Sequence, residues 1–482
     1  MRRVRRKTLD EEVERILGCP SVREQEMHWE RYERLVPLCG FGQLGLCCQD
    51  CSEGPCRVSP FDEERSTGIC GREPEDMALA QLVRLVASGA MVQAATARRL
   101  GVEGWNQALC TVVELFALLH EGLPADAVLS PMVAAAREGL AALEAAVAIR
   151  DERFGTPRVR AETWGMAALE PGRVNVLVVG PLAGEAALRL GHLEELRLVG
   201  SCGAEVVTGV PAAAHVGSQE VLVRGGLVQG LVMAGGCADP ALRQAAAKVG
   251  IPVVDLRERD WPHIEQVLRA APRAQNSLGS SSPAVVGFDG LAMSLNPQVR
   301  EILGRLGKLV LIAGCSSVRE TQNQAAVSAA RAALEEGALV LCCGCAGYAL
   351  VRAGLCSTQV LDVVPRTLSD ACRELGEMLD QPAVPPVLHM GGCWDAPRAV
   401  ALARALAGEG LVLEAHLPEL ARPPGWALAV ALAGSGFRTT VGPILALDAH
   451  PGLLERLNEE LAFRGGSLRG PGGKRDVGGD VG

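Results

Sequence analysis

Six cysteines carry the densest chemistry in the chain: Cys39, Cys47, Cys48, Cys51, Cys56 and Cys70, all within LCGFGQLGLCCQDCSEGPCRVSPFDEERSTGICGRE. A disulfide framework is the habit of small secreted domains, whereas this chain has 482 residues and can bury a large core. Thiolates this dense usually hold metal. Cys48, Cys51, Cys56 and Cys70 give C-x2-C-x4-C-x13-C, the form of an iron–sulfur run, with Gly54-Pro55 turning the chain between ligands. Within this segment only Cys48 and Cys51 make the CxxC pair that zinc favours, so zinc and uncommitted thiols are the alternatives. Cys47 adjoins Cys48, so the two side chains diverge and should serve different centres. Cys39 and Cys47 together are half a ligand set for a four-iron cluster. A two-fold dimer would supply the other half; buried, inert thiols are the plainer alternative.

A second set is dispersed. Cys202, Cys237, Cys315, Cys345 and Cys393 recur in RLVGSCGAE, LVMAGGCAD, VLIAGCSS, VLCCGCAG and VLHMGGCWD, each an apolar run ending in glycine and then cysteine; a serine intervenes in the first. The last four thus lie just past a predicted strand end. In open α/β sheets ligands bind outside the carboxyl ends of strands. Glycine there permits close backbone approach. Five such thiols could converge between two domains as a metal site; the alternative is five unconnected buried cysteines.

The elements that must position these residues change along the chain. Residues 8–38 read as helix, and residues 75–150 as all-helical with apolar spacings of three and four. From 173 onward, short apolar runs alternate with helical patterns, which implies parallel sheets flanked by helices. The fold class is therefore α/β with an N-terminal α-helical domain and two Rossmann-like parallel-sheet domains. The expected divisions are 1–38, an N-terminal helical segment, and 39–72, the cysteine knot. A helical domain and linker follow over 73–172, a first α/β domain over 173–280, a second over 281–465, and a flexible tail over 466–482. AEVVTG is read as one strand of the first domain.

Composition bounds the function. Net charge is −9, and no basic stripe with interleaved aromatics occurs, which argues against nucleic-acid binding. The start, MRRVRRKTLDEEVERIL, lacks the apolar core of a secretory signal, and no apolar run reaches bilayer length. No membrane association is expected. Seventeen cysteines without export fit a reducing, oxygen-poor cytoplasm.

The cysteine-rich segment closely resembles the N-terminus of nickel–iron carbon monoxide dehydrogenase catalytic subunits, which are related to hybrid cluster proteins. That resemblance implies a 4Fe-4S cluster in each subunit on Cys48, Cys51, Cys56 and Cys70. It implies a second, shared between the subunits of a homodimer, on Cys39 and Cys47. VPAAAHVGSQEVLVRGGLVQGLVMAGGC, AGCSSVRETQNQ, LVLCCGCAGYALVRAGL and VLHMGGCWDAPR resemble the segments that carry active-site cysteines in the family. By that likeness Cys202, Cys237, Cys315, Cys345 and Cys393 match the thiolates of the Ni–Fe–S active cluster, and Glu205 matches a carboxylate. A hard carboxylate oxygen suits oxidised iron better than nickel; a solvated or helix-capping glutamate is the alternative. His215 and His389 are read as core histidines. The partners implied are a ferredoxin-like electron carrier and a small-molecule substrate.

The chain departs from the family at three places. The end of the first α/β strand reads Val178-Val179-Gly180-Pro181-Leu182 where the family has a cluster histidine. Gln93 and Thr96 stand where it has relay histidines, and Pro424 stands where it has a catalytic lysine, with Arg422 not equivalent by position. Together these imply an altered, even nickel-free, active cluster with weak or lost oxidation of CO. A hybrid-cluster-like reductase, or a non-catalytic electron-transfer or redox-sensing protein, is the alternative.

Overall fold

The computed structural model of the chain describes residues 6–59, 62–122, 125–201, 209–258, 260–275, 279, 283–407, 410–442, 445–461 and 463–465. Cys202, Glu205 and most of the AEVVTG run lie outside the described residues.

The N-terminal stretch read as helix is three short helices, α1 (Glu11–Leu17), α2 (Pro20–Arg23) and α3 (His28–Leu35). Gly18 caps the first, and Pro20, lacking an N–H, can only begin the next. Asp10 caps α1 through the amides of Glu12 and Val13. After α4 (Gly40–Gln43) the chain makes a two-strand knot, β1 (Cys47–Cys48) and β2 (Cys56–Arg57), paired antiparallel.

Three long helices follow: α5 (Pro74–Leu100), α6 (Gln107–His120) and α7 (Ala125–Phe154). Proline opens α5, and Gly101, with φ of 85°, closes it. In length and hydropathy α5 would suffice to cross a bilayer, but 67% of its most apolar window is buried inside the fold. Its closest partner besides α7 is the helix Pro423–Ala433, which approaches at Gly89. A Cβ on Gly89 would come within 2.2 Å of the Pro423 carbonyl oxygen.

Two parallel sheets make the rest. The smaller comprises β4 (Val174–Val179), β5 (Leu196–Ser201), β6 (Gly230–Met233) and β7 (Val253–Asp255), in the order β5-β4-β6-β7; β3 (Arg160–Glu162) belongs to the other sheet. The larger adds β8 (Ala284–Val286), β9 (Lys308–Ile312), β10 (Leu339–Cys342) and β11 (Val387–His389). It continues with β12 (Val412–Leu417), β13 (Arg438–Val441) and β14 (Phe463–Gly465), in the order β14-β13-β12-β9-β10-β11-β8-β3. Only β3 runs antiparallel to its neighbour. Its three residues fall in the stretch read from sequence as linker, where RAE gives no apolar signal. The fold is α/β with an N-terminal helical part, as the sequence implies.

The central strands are apolar on both faces because helices cover both. Val310, Val340, Leu341, Val387 and Leu388 are fully buried. Each such side chain contributes roughly 1.5–3 kcal/mol of transfer free energy, so the strand ends form a stiff platform for whatever follows them.

Candidate functional site

Two thiol sites result. In the first, β1 and β2 set Cys48 directly opposite Cys56. Cys47 and Cys48 are successive strand residues, so they face opposite sides of the ribbon. Cys51 lies in the connecting turn, whose Gly54 packs on the backbone of Cys48, Cys51 and Cys56. Cys70 sits in a turn closed by hydrogen bonds from Gly71 N to Gly68 O (2.9 Å) and from Gly68 N to Arg72 O (2.9 Å). That turn packs on Cys56, whose Cβ would be 3.7 Å from a Cβ at Gly68. One ribbon and two turns thus carry the four thiols, a donor set of the soft kind that an iron–sulfur cluster takes. Cys39, at the start of α4, is exposed, as are Cys51 and Cys70. Exposed Leu35, Val36, Phe41 and Ile69 lie close in sequence to these thiols.

The second site lies where the two sheets meet. Cys315, Cys345 and Cys393 follow β9, β10 and β11, three neighbouring strands, at their carboxyl ends. Gly344 is what lets two of them meet. Its φ is 70°, and a Cβ there would lie 2.2 Å from the Cys393 sulfur. The Cys315 sulfur faces Gly425 on the Pro423–Ala433 helix, 3.0 Å from where its Cβ would be.

Cys237 comes from the smaller sheet, past β6. It packs with Val216 and the buried Cys345 of the larger one. The preceding Gly236 abuts Trp394, the neighbour of Cys393, at 3.1 Å from its would-be Cβ. Cys202 directly follows Ser201, the last residue of β5. Gln219 spans the carboxyl ends of β5 and β6: its Nε2 donates to Ser201 Oγ (2.9 Å) and to Cys237 O (3.3 Å). Four of the five dispersed thiols thus stand at one inter-sheet cleft; Cys202 lies outside the described residues. Soft sulfur donors in glycine-cut space fit an iron–sulfur group.

Two of the departures, at positions 181 and 424, fall at this cleft too. Gly180 (φ 117°) ends β4 so close to the Gly235 carbonyl that a Cβ would sit 1.8 Å from its oxygen. The next residue, Pro181, touches Gly236 beside Cys237 and offers no ligand. Pro424 lies in the first turn of the helix whose Gly425 faces Cys315. Gln93 and Thr96 are buried on α5; the Thr96 hydroxyl donates to Val92 O (3.1 Å). Neither transfers protons as an imidazole would.

Buried histidines flank the cleft. Burial holds the His215 imidazole below its usual range; Gly217 N donates to Nδ1 (3.0 Å), and Nε2 meets Asn323 Oδ1 (2.9 Å). Burial takes His389 down to about 3, edge-on to Trp164 at 4.7 Å. Both are neutral packing groups at neutral pH.

Glu419 is the residue that sequence reasoning missed. Its carbonyl accepts from Cys315 N (2.8 Å), its Oε2 accepts from Ser317 N, and its Oε1 is buried with no hydrogen-bond partner. Burial pushes the carboxyl up to about 8. The available signal was a lone acid in LPEL, two residues past the end of β12, at the carboxyl edge that the cysteines also occupy. Asp395 is a second omission. It caps the Cys393 turn through Gly392 N (3.0 Å) and is fully buried against Arg150 (2.9 Å). A third acidic group, His28, Glu220 and Asp239, has ligand atoms within 4.8 Å of one another. Its Glu220 is already engaged by Arg31 (2.8 Å) and Arg224 (2.6 Å), so it reads as an ion network.

The sequence matches the Prismane/CO dehydrogenase family over residues 46–122 and 106–468. Carbon monoxide dehydrogenase of Rhodospirillum rubrum is 25% identical over 565 residues, covering 89% of this chain and 88% of that protein. Carbon monoxide dehydrogenase 2 of Carboxydothermus hydrogenoformans is 26% identical over 590 residues, covering 94% and 92%. Among solved structures, carbon monoxide dehydrogenase IV of that organism aligns with a TM-score of 0.80 at 21% identity, covering 95% of this chain and 96% of that one. A carbon monoxide dehydrogenase from Thermococcus sp. AM4 gives 0.82 at 19% identity, covering 96% and 94%. These structural likenesses are likenesses of fold.

Proposed function

The chain belongs to the Prismane/CO dehydrogenase family, and from that premise we propose that it is an iron–sulfur oxidoreductase whose active cluster is altered and whose oxidation of CO is weak or lost. The parent reaction is CO + H₂O to CO₂ with release of two electrons and two protons. Cys48, Cys51, Cys56 and Cys70 hold a 4Fe-4S cluster. Cys39 and Cys47 hold a second with the same pair of a partner subunit, and the exposed apolar residues near them suit a dimer contact. Cys202, Cys237, Cys315, Cys345 and Cys393 hold the active cluster, with Glu205 as an oxygen donor. The electron partner is a ferredoxin-like carrier, the substrate a small molecule, and the setting a reducing cytoplasm.

The observation that carries the altered-site reading is Pro181 against Gly236, beside Cys237. A ligating side chain at the end of β4 would enter the cleft there, and proline supplies none. When bound, the clusters supply one-electron transfer. The chain's own residues would then hold, shield and orient. Gln219 ties the carboxyl ends of β5 and β6, Asp395 fixes the Cys393 turn, and Gly344 clears space for its sulfur. No imidazole or ammonium occupies position 93, 96, 181 or 424 to move a proton or to anchor a developing anion.

The buried, unsatisfied carboxyl oxygen of Glu419 beside Cys315 favours a second reading, a hybrid-cluster-like reductase of a small oxidised molecule. Metal analysis with electron paramagnetic resonance of anaerobically purified protein separates these readings from a pure relay. An iron signal that changes with an added oxidised substrate supports an enzyme. Ordinary 4Fe-4S signals alone would leave only electron relay.

A further inference from the structure

The knot contains a charged device that its cysteine spacing does not require. Arg72 follows the Cys70 turn, and its own carbonyl closes that turn. Its side chain is 17% exposed and is held at three points. Nη1 lies 3.9 Å from the Cys48 sulfur and also meets Asp50 Oδ2, while Nη2 donates to Leu119 O at 3.2 Å. Arg84 on α5 meets the same Asp50 oxygen. One guanidinium group therefore meets a thiol of the set, and the carboxylate that holds it also binds a second guanidinium.

We propose that Arg72 tunes the redox group held by Cys48, Cys51, Cys56 and Cys70, by donating a hydrogen bond to the Cys48 sulfur and stabilising the reduced form, while Asp50 moderates the effect. The inference rests on the cluster assignment proposed above. One electron added to the group raises its negative charge by one. A cation and N–H donor at a ligand sulfur favour that state, and such contacts are among the levers that set iron–sulfur potentials. Asp50 acts the other way. Its carboxylate partly neutralises Arg72 and lies near the Cys48 thiol itself. Arg72 touches a ligand and not the substrate, so it is a tuning residue.

The test is a potentiometric titration of the full-length, anaerobically reconstituted protein, with dithionite as the one-electron donor and paramagnetic resonance as the readout. The relevant signal is identified as the one lost in Cys51→Ser. Arg72→Met should move its midpoint to more negative potential, Arg72→Lys should move it less, and Asp50→Asn should move it to more positive potential. A merely structural salt bridge would not give opposite shifts in its two partners. An unmoved midpoint in Arg72→Met, or shifts of the same sign in Arg72→Met and Asp50→Asn, overturns the role of Arg72. Should Arg72→Met fail to retain the group, Asp50→Asn decides alone, and an unmoved or lower midpoint there overturns the proposal. No signal lost in Cys51→Ser overturns the cluster assignment, and this proposal with it, and is distinguishable from the other outcomes.

Discussion

The two thiol sites are built by opposite means. The N-terminal knot gathers Cys48, Cys51, Cys56 and Cys70 within one short ribbon and two turns, near the surface, with Arg72, Arg84 and Asp50 alongside. The cleft gathers Cys237, Cys315, Cys345 and Cys393 from two sheets, with each sulfur delivered by a strand end. Around it stand buried glycine contacts, neutral imidazoles and a raised carboxyl. An exposed, charged site suits passing electrons to a partner. A site between two sheets, with its thiols half-buried or buried, suits confining a small reactant. The knot holds six cysteines, while positions 93, 96, 181 and 424 carry Gln, Thr, Pro and Pro, none of which titrates.

The sharpest way to break this contrast is at Gly344. Gly344→Ala puts a methyl 2.2 Å from the Cys393 sulfur at a φ of 70°. It should abolish iron binding at the cleft and cost about 1–3 kcal/mol in stability, while the knot keeps its iron. Iron analysis and thermal unfolding would show both; full iron content would mean that Cys393 is not a ligand. Next in size, replacing both Cys39 and Cys47 by Ser should remove about one cluster per dimer and leave the signal of Cys48, Cys51, Cys56 and Cys70 in place. Unchanged iron in that double variant would return the two thiols to inert status.

The smallest effect lies outside both sites, on the edge strand β7. Hydrogen bonds from Arg257, outweighing burial, hold the Asp255 carboxyl down to about 2 from an ordinary 3.8. A depressed carboxyl contributes stability above its unfolded value and loses it as pH falls through the folded one. Acid unfolding should therefore show a component between about pH 4 and pH 2 that Asp255→Asn removes, without change in iron content. A variant with the wild-type acid profile would show that the exposed Arg257 contributes nothing measurable.

Legibility in the sequence follows the same contrast. The knot is local, so its spacing alone exposes it. β8 to β11 announce themselves as apolar runs because buried parallel strands must be apolar. β3 and β14 do not, since RAE and FRG pair only at sheet edges. The recurring glycine–cysteine device pointed to strand ends, but which sulfurs meet depends on how the sheets dock. The loop 215–218, wedged between Cys345, Ser316 and Gln322, makes that junction. Glu419 was invisible for the same reason: its raised pKa comes from tertiary burial and not from its neighbours in sequence.

We propose that the chain carries electrons on its clustered thiols and oxidises CO poorly. A positioned general acid or base contributes about 10²–10⁴-fold, and an electrostatic anchor contributes on the order of 10²–10³-fold. The purified, fully metallated protein, supplied with nickel and a viologen acceptor, should therefore oxidise CO several orders of magnitude more slowly than an ordinary family member assayed beside it. Turnover equal to that enzyme's would contradict the account, and would assign the missing roles to side chains such as Glu205, Glu419 or Arg422.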